Sequence, residues 1–119
     1  MKSIKELYRI GTGPSSSHTM GPRKAAEMFL TRHPEAASFK VTLYGSLAAT
    51  GKGHMTDVAI IDTLKPTAPV DIIWQPKIFL PFHPNGMNFV ALDAGGNELE
   101  NWTVYSVGGC LLYTSDAAD

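Results

Sequence analysis

The stretch MNFVALDAGGNELENWTVYSV, residues 87–107, decides the fold. It contains two runs typical of β-strands, separated by the segment AGGNE. A short glycine-containing break between two such runs indicates a β-hairpin. The sequence therefore predicts two antiparallel strands in this half of the chain.

Two further stretches are predicted to be extended. Apolar and polar residues alternate in FKVTLYG, residues 39–45, as expected for a half-buried strand. VDIIWQPKIFLPF, residues 70–82, is apolar but interrupted by prolines. Because proline cannot donate a hydrogen bond to a neighbouring strand, this stretch is predicted to form an edge strand or two short pieces.

Three helices are predicted, two before the strand at residues 39–45 and one after it. Ser3 and Glu6 have the spacing of a capping box, which predicts a short helix over residues 4–9. Residues 15–19 offer several N-caps for a second helix that ends near Arg32, with Pro22 tolerated in its first turn. The residues predicted on its apolar side are Ala25, Ala26, Met28, Phe29 and Leu30.

A third helix is predicted over residues 56–64, with Val58, Ile61 and Leu64 facing inward, and Pro66 and Pro69 close it. Helices interleaved with strands and followed by a hairpin predict an α/β fold of the α+β kind, a mixed β-sheet flanked by helices. With 119 residues the chain has the size of one domain.

Composition excludes several classes of function. The net charge of −1 gives no basic surface for nucleic acid or an anionic membrane, and no apolar run approaches the roughly 18 residues of a membrane span. The start, MKSIKELYRIG, lacks the features of a signal peptide, so we expect a soluble cytoplasmic protein. One cysteine, Cys110, forms no internal disulfide and holds no structural metal by itself.

The last ten residues, CLLYTSDAAD, follow a strand-like run and break its pattern. One back-translation of them resembles a transposase-type sequencing adapter. We therefore predict that residues 1–109 are the protein domain, incomplete at its carboxyl end, and that residues 110–119 are a non-native tail in which Cys110 has no function. The alternative is an ordinary disordered terminus.

Glycine-rich loops carry the polar chemistry. GTGPSSSHTMGP, residues 11–22, places serines at a predicted helix start. Backbone amides and hydroxyls at such a position can bind a carboxylate or phosphate. A serine-rich N-cap with nothing bound explains the composition equally well. The stretch also lacks the third glycine of a dinucleotide-binding fingerprint.

The second loop, GSLAATGKGHMTD at residues 45–57, is not a Walker A nucleotide loop. Five residues separate Gly45 from Gly51, and Gly53 stands where the motif needs a hydroxyl. His18 and His54 each lie in such a loop, and FHPNGM, residues 82–87, adds His83 and Asn85. A loop histidine suits proton transfer near neutral pH, although a structural or solvated role is the commoner one. We expect His33 only to complement a helix dipole.

Three motifs in this order resemble one family: SIKELYRIGTGPSSSHTMGPRKAAEMF at residues 3–29, GSLAATGKGHMTD and FHPNGM. They look like the N-terminal β domain of iron-sulfur-dependent L-serine dehydratase, and the match covers residues 1–109. The resemblance implies a fold like the allosteric substrate-binding domain of phosphoglycerate dehydrogenase. It also implies a homo-oligomer and a helical α domain, fused or separate, whose cysteines hold a 4Fe-4S cluster.

The implied reaction eliminates water from L-serine to give aminoacrylate, which becomes pyruvate and ammonia, with an iron of the cluster as Lewis acid. The resemblance makes His54 the first candidate for proton transfer and His18 the second. The resemblance also implies that Lys52 balances negative charge at the cluster or the carboxylate. The hydroxyls implied to hold the substrate are those of Ser15, Ser16, Ser17 and Thr19.

His83 and Asn85 are expected to fix a turn, and a role at the substrate stays open for both. Since the cluster cysteines are absent from this chain, we expect it to have no dehydratase activity alone. The main alternative is a non-catalytic serine-sensing or docking domain. A weaker one is anion or nucleotide binding by the two glycine loops.

Overall fold

The computed structural model describes residues 6–9, 20–45, 56–77, 86–107 and 110–113. These residues form six strands and two helices. In chain order the elements are β1 (Glu6–Arg9), α1 (Gly21–Arg32), β2 (Ser38–Tyr44), α2 (Thr56–Leu64), β3 (Val70–Gln75), β4 (Gly86–Leu92), β5 (Glu98–Val107) and β6 (Cys110–Tyr113).

The six strands form one mixed sheet in the order β1-β6-β5-β4-β2-β3. β2 and β3 are parallel and are joined through α2, whereas the other neighbouring pairs are antiparallel. The predicted α+β class is confirmed, and so is the position of β3 at a sheet edge. The likeness to the phosphoglycerate dehydrogenase domain stays a prediction.

The core lies between the helices and one face of the sheet. Alternation along β2 directs Phe39, Val41 and Leu43 to this face, where they are buried. In β4 the same alternation buries Met87, Phe89 and Ala91 there. The residues between them lie on the other face, where burial varies: Thr42 and Asn88 are half-buried, Val90 is buried and Lys40 is exposed.

α1 begins later than the N-cap prediction allows. Met20, not a residue of the segment 15–19, holds the N-cap position, and its side chain makes no capping hydrogen bond. Pro22 lies in the first turn as predicted, and the predicted apolar side is confirmed. Ala25, Ala26 and Phe29 are buried, while Met28 and Leu30 are partly buried and pack against the core.

α2 has the predicted bounds but a different inward face. Thr56, Ile60 and Leu64, spaced four residues apart, are buried, whereas Val58 is exposed and Ile61 half-buried. The prediction was right for Leu64 and wrong for the other two residues. Because this helix has apolar residues on more than one side, packing against the sheet decides its rotation.

Glu6–Arg9 form a strand where a helix was predicted. β1 pairs antiparallel with β6 along its whole length, from Glu6 opposite Tyr113 to Arg9 opposite Cys110. A helix of only six residues, as predicted over 4–9, is marginal, so pairing with a distant strand overrides the local capping signal. The Ser3 part of that signal lies outside the described residues.

The hairpin prediction is confirmed by β4 and β5. Asp93 fixes the turn, since its Oδ1 accepts hydrogen bonds from the backbone N–H groups of Gly95 and Asn97, both at 2.9 Å. The hydrogen bond from the Asn97 N–H is the main cause that lowers the pKa of Asp93. Gly96 has φ +85°, a left-handed conformation that favours glycine.

The chain after Gly109 returns to the sheet. Cys110–Tyr113 form β6, which pairs with β5 on one side and β1 on the other, and Leu111 is fully buried. The origin of residues 110–119 stays a prediction, and residues 114–119 lie outside the described residues. Within the described part of the chain, no helix has the length and apolar character of a membrane span.

Candidate functional site

The strands of the sheet begin and end along two opposite sides of it. We call one of these sides the upper edge, and each strand has one of its ends there. The pairing registers place there the strand ends Arg9, Tyr44, Gln75, Gly86, Val107 and Cys110. The opposite, lower edge carries the start of β2 at Ser38, the start of β3 at Val70 and the turn between β4 and β5.

Both helices begin towards the upper edge. The carboxyl end of α1 lies at the lower edge, because the side chains of Arg32 and His33 contact Glu100 near the start of β5. α2 connects the upper end of β2 to the lower end of β3 and therefore runs opposite to both strands. The amino ends of both helices are thus directed to the upper edge.

All eight predicted site residues lie outside the described residues. They fall into three segments, 10–19, 46–55 and 78–85. The segments hold Ser15, Ser16, Ser17, His18 and Thr19, then Lys52 and His54, then Asn85 together with His83.

The described residues next to these segments lie at the upper edge or at a helix start directed to it. Arg9 and Met20 flank the first segment, Gly45 and Thr56 the second, and Lys77 and Gly86 the third. Three chain segments that carry the predicted chemistry are therefore attached to one side of the molecule.

Gly45 shows why one of these attachments needs glycine. It is buried directly after β2 and has φ +51°, in the left-handed region. A side chain there would strain the backbone, since L-residues pay roughly 1–2 kcal/mol for this conformation. The first residues of both helices are buried as well: Gly21 and Pro22 in α1 and Thr56 in α2.

A second polar cluster, at the lower edge, was not found in the sequence. Arg32 donates to Glu100 through Nε, 3.1 Å from Oε1, and through Nη2, 3.2 Å from Oε2. His33 Nε2 lies 2.5 Å from the same Oε1. His33 therefore does more than the predicted dipole partner, because it joins α1 to β5.

Burial and aromatic contacts shape this cluster. Burial of the Glu100 carboxyl opposes its ionisation, but hydrogen bonds and charge from Arg32 and His33 outweigh burial and lower the pKa of Glu100. The Arg32 guanidinium carbon lies 4.5 Å from the centre of the Trp102 ring, a cation–π contact. Trp102 and Phe29 stack with their ring planes 2° apart.

The Glu100 cluster stabilises the fold rather than forming a reactive site. Both carboxylate oxygens accept a hydrogen bond from the last turn and cap of α1. Along the described ranges, no group of three metal-ligating side chains occurs. One signal in the sequence does point to the cluster: Glu100 shares a strand face with the apolar Trp102 and Val104, an unusual place for an unpaired acid.

The fold defines a class of protein: an α+β domain in which the described residues next to the histidine-bearing and serine-bearing segments lie at the upper edge or at helix starts directed to it. The family model described as "Serine dehydratase beta chain" matches residues 3–72 and 62–117. The chain belongs to the serine dehydratase beta chain family.

Three relatives illustrate the match. The L-serine dehydratase of Streptomyces coelicolor is 36% identical and aligns with 97% of this chain but 34% of its own length. L-serine dehydratase TdcG of Escherichia coli is 37% identical over 94% of this chain and 33% of its own. The L-serine dehydratase of Haemophilus influenzae is 34% identical, with shares of 94% and 33%. The chain spans about a third of the length of the curated relatives that it matches.

Proposed function

We propose that this chain is the β domain of an L-serine dehydratase and supplies one half of an active site that another domain or subunit completes. Its family and the names of its relatives support this proposal. The match covers about a third of each of these relatives' length, which supports the need for a second part. We further propose that the enzyme works in the cytoplasm as a homo-oligomer.

The observation that carries the proposal is the shared attachment of segments 10–19, 46–55 and 78–85 at the upper edge. In our proposal His54 moves the substrate proton, with His18 as the second candidate. Histidine suits this task because it titrates near neutral pH. Lys52 balances the substrate carboxylate or other negative charge, and Asn85 contributes from the third segment.

The serine-rich segment binds and orients L-serine in this proposal. Hydroxyls of Ser15, Ser16, Ser17 and Thr19 hydrogen-bond the carboxylate or ammonium group of the substrate. Removal of the Cα proton and loss of the β-hydroxyl as water give aminoacrylate, which hydrolyses to pyruvate and ammonia. A substrate held by several hydrogen bonds presents its Cα proton in one orientation, which is what an elimination requires.

A 4Fe-4S cluster does not fit the residues of this chain. Such clusters are held by several cysteine thiolates, and the chain has one cysteine in all. We propose that the cluster belongs to the α domain, and we assign no step of this chain's chemistry to it. The chain's own contribution is substrate binding and proton transfer.

Two preparations test the proposal. The isolated chain, treated anaerobically with iron and sulfide, is expected to release no pyruvate from L-serine. A chimera in which residues 1–113, which include all six described strands, replace the matched third of the Streptomyces coelicolor enzyme is expected to release pyruvate. Turnover by the isolated chain, or an inactive but folded chimera, would contradict the proposal.

The role of His54 is tested in the same chimera. Loss of a general base lowers turnover by roughly 100-fold to 10,000-fold, so His54→Gln is expected to fall in this range. His33→Gln is the matched control, since His33 lies at the lower edge, and it is expected to keep turnover within about twofold. Binding of L-serine without pyruvate would favour the sensing alternative.

We also propose that residues 110–119 do not belong to the natural protein. The test is the uninterrupted gene beyond Gly109. Codons for CLLYTSDAAD that differ from the adapter sequence would remove this proposal and leave the proposed function unchanged.

A further inference from the structure

Two exposed apolar side chains lie at the helix starts that are directed to the upper edge. Among the described residues, three large apolar side chains are more than a third exposed: Met20 at 45%, Val58 at 38% and Leu99 at 42%. Met20 directly precedes α1, and Val58 lies in the first turn of α2. Leu99 lies apart from them, near the start of β5 at the lower edge.

Met20 and Val58 lie at the starts of two helices that pack together with the same orientation. We call these two residues the helix-start surface. A single exposed apolar residue needs no explanation on a protein surface. Here, however, both residues adjoin segments that carry predicted site residues: Met20 follows segment 10–19, and Thr56, two positions before Val58, follows segment 46–55.

We propose that the helix-start surface is a docking contact for the part of the enzyme that the relatives carry beyond their matched third. This inference rests on the proposed function, because an active site completed from elsewhere needs its second part at the upper edge. The relatives' remaining two thirds supply an occupant of sufficient size.

Neighbouring charges define the chemistry of this partner. Arg23, whose side chain is 65% exposed, lies on the first turn of α1, and Asp57 lies on the first turn of α2. The surface thus has two apolar side chains with one basic and one acidic neighbour. It fits a partner with an apolar centre and a polar rim of mixed charge, the usual composition of a domain interface.

The chimera of residues 1–113 with the Streptomyces coelicolor enzyme tests the docking contact. Calorimetry of the unchanged chimera is expected to show one cooperative transition. The double variant Met20→Gln with Val58→Thr is expected to split it into two transitions and to lower serine turnover at least tenfold. Leu99→Thr is the matched control, and it is expected to keep one transition and turnover within twofold.

Two results overturn the docking contact: two independent transitions in the unchanged chimera, or equal effects of the double variant and Leu99→Thr. Circular dichroism of the isolated chain with each substitution establishes that the fold is kept. The outcomes separate the two proposals. If the chimera is active and the double variant changes neither its turnover nor its single transition, only the docking contact is contradicted. If the chimera is inactive but the double variant splits its single transition, only the dehydratase function is contradicted.

Discussion

The two ends of α1 are built differently. At the lower edge, Arg32 occupies the last turn, the backbone N–H of His33 donates to the carbonyls of Phe29 and Leu30 at 3.1 Å each, and both side chains contact Glu100. At the upper edge, Met20 makes no side-chain capping bond, and the first turn has no acidic residue. Among the described residues, charge therefore complements the dipole of α1 at its carboxyl end and not at its amino end.

This difference separates stability from the predicted chemistry. The lower end is held by buried rings and a paired carboxylate, which fix the helix on the sheet. The upper end leaves the positive pole of α1 next to the segment proposed to bind a substrate carboxylate. Four substitutions and one change of pH test whether the lower end of α1 supports stability and the upper end does not, beginning with the lower end.

Phe29→Ala has the largest expected effect. Phe29 is fully buried, and its ring lies 5.5 Å from Phe89, 6.2 Å from Phe39 and 6.0 Å from Trp102 between ring centres. Truncation of a buried phenylalanine lowers the free energy of unfolding by about 3–5 kcal/mol. Urea denaturation of the isolated chain measures the loss. Phe29→Leu, which keeps most of the apolar volume, is expected to lose less than half as much.

Glu100→Gln is expected to lower the free energy of unfolding by about 1.5–3 kcal/mol, the range for hydrogen bonds to charged groups. The Glu100 side chain is 13% exposed and that of His33 14%, so loss of the carboxylate leaves His33 without its anionic partner in a poorly solvated place. Glu98→Gln is the matched control on the same strand, where the residue is exposed. Equal losses in the two variants would show that the lower cluster adds no stability.

The elements that could be predicted from sequence are those whose signal is local. The alternation in β2, the glycine turn between β4 and β5, and the prolines that end α2 each act within a few residues. What failed depends on distant partners: β1 needs β6, more than 100 residues away, and the inward face of α2 is selected by the sheet beneath it. The Arg32 and His33 contacts with Glu100 span 68 and 67 residues.

The candidate site also combines features that a local pattern predicts with features that depend on distant partners. His18, His54 and Asn85 are predicted from motif content and family resemblance, and no local pattern says how far apart they lie. Their common attachment at the upper edge emerges from strand order and helix direction. A sequence pattern cannot supply that information because strand order is set by the packing of the whole sheet.

Acid is expected to weaken the lower end selectively. Because the pKa of Glu100 is below its ordinary value of 4.5 in the folded chain, its ionised form stabilises the fold above pH 4.5. This contribution is lost as the pH falls through the lowered pKa. Urea midpoints of the unchanged chain and Glu100→Gln should therefore differ at pH 7 and converge below pH 4.5. A constant difference across this range would contradict the lowered pKa.

Arg32→Gln tests the outer part of the same cluster. Arg32 is 38% exposed, so solvent screens its ion pair with Glu100, and the contact with Trp102 adds a modest cation–π attraction. The expected loss in the free energy of unfolding is about 1 kcal/mol. Thermal unfolding at low and high salt measures it, and the loss should shrink at high salt. A loss that is unaffected by salt would assign the effect to the arginine stem instead.

Met20→Gln, at the opposite end of α1, is expected to change the free energy of unfolding of the isolated chain by less than about 0.5 kcal/mol. Met20 is 45% exposed and makes no capping bond, so glutamine removes little buried surface and no hydrogen bond. Urea denaturation beside Arg32→Gln compares the same replacement residue at both ends of one helix. A loss at Met20 as large as that at Arg32 would mean that the upper end supports the isolated fold, and the separation of stability from docking would then be wrong.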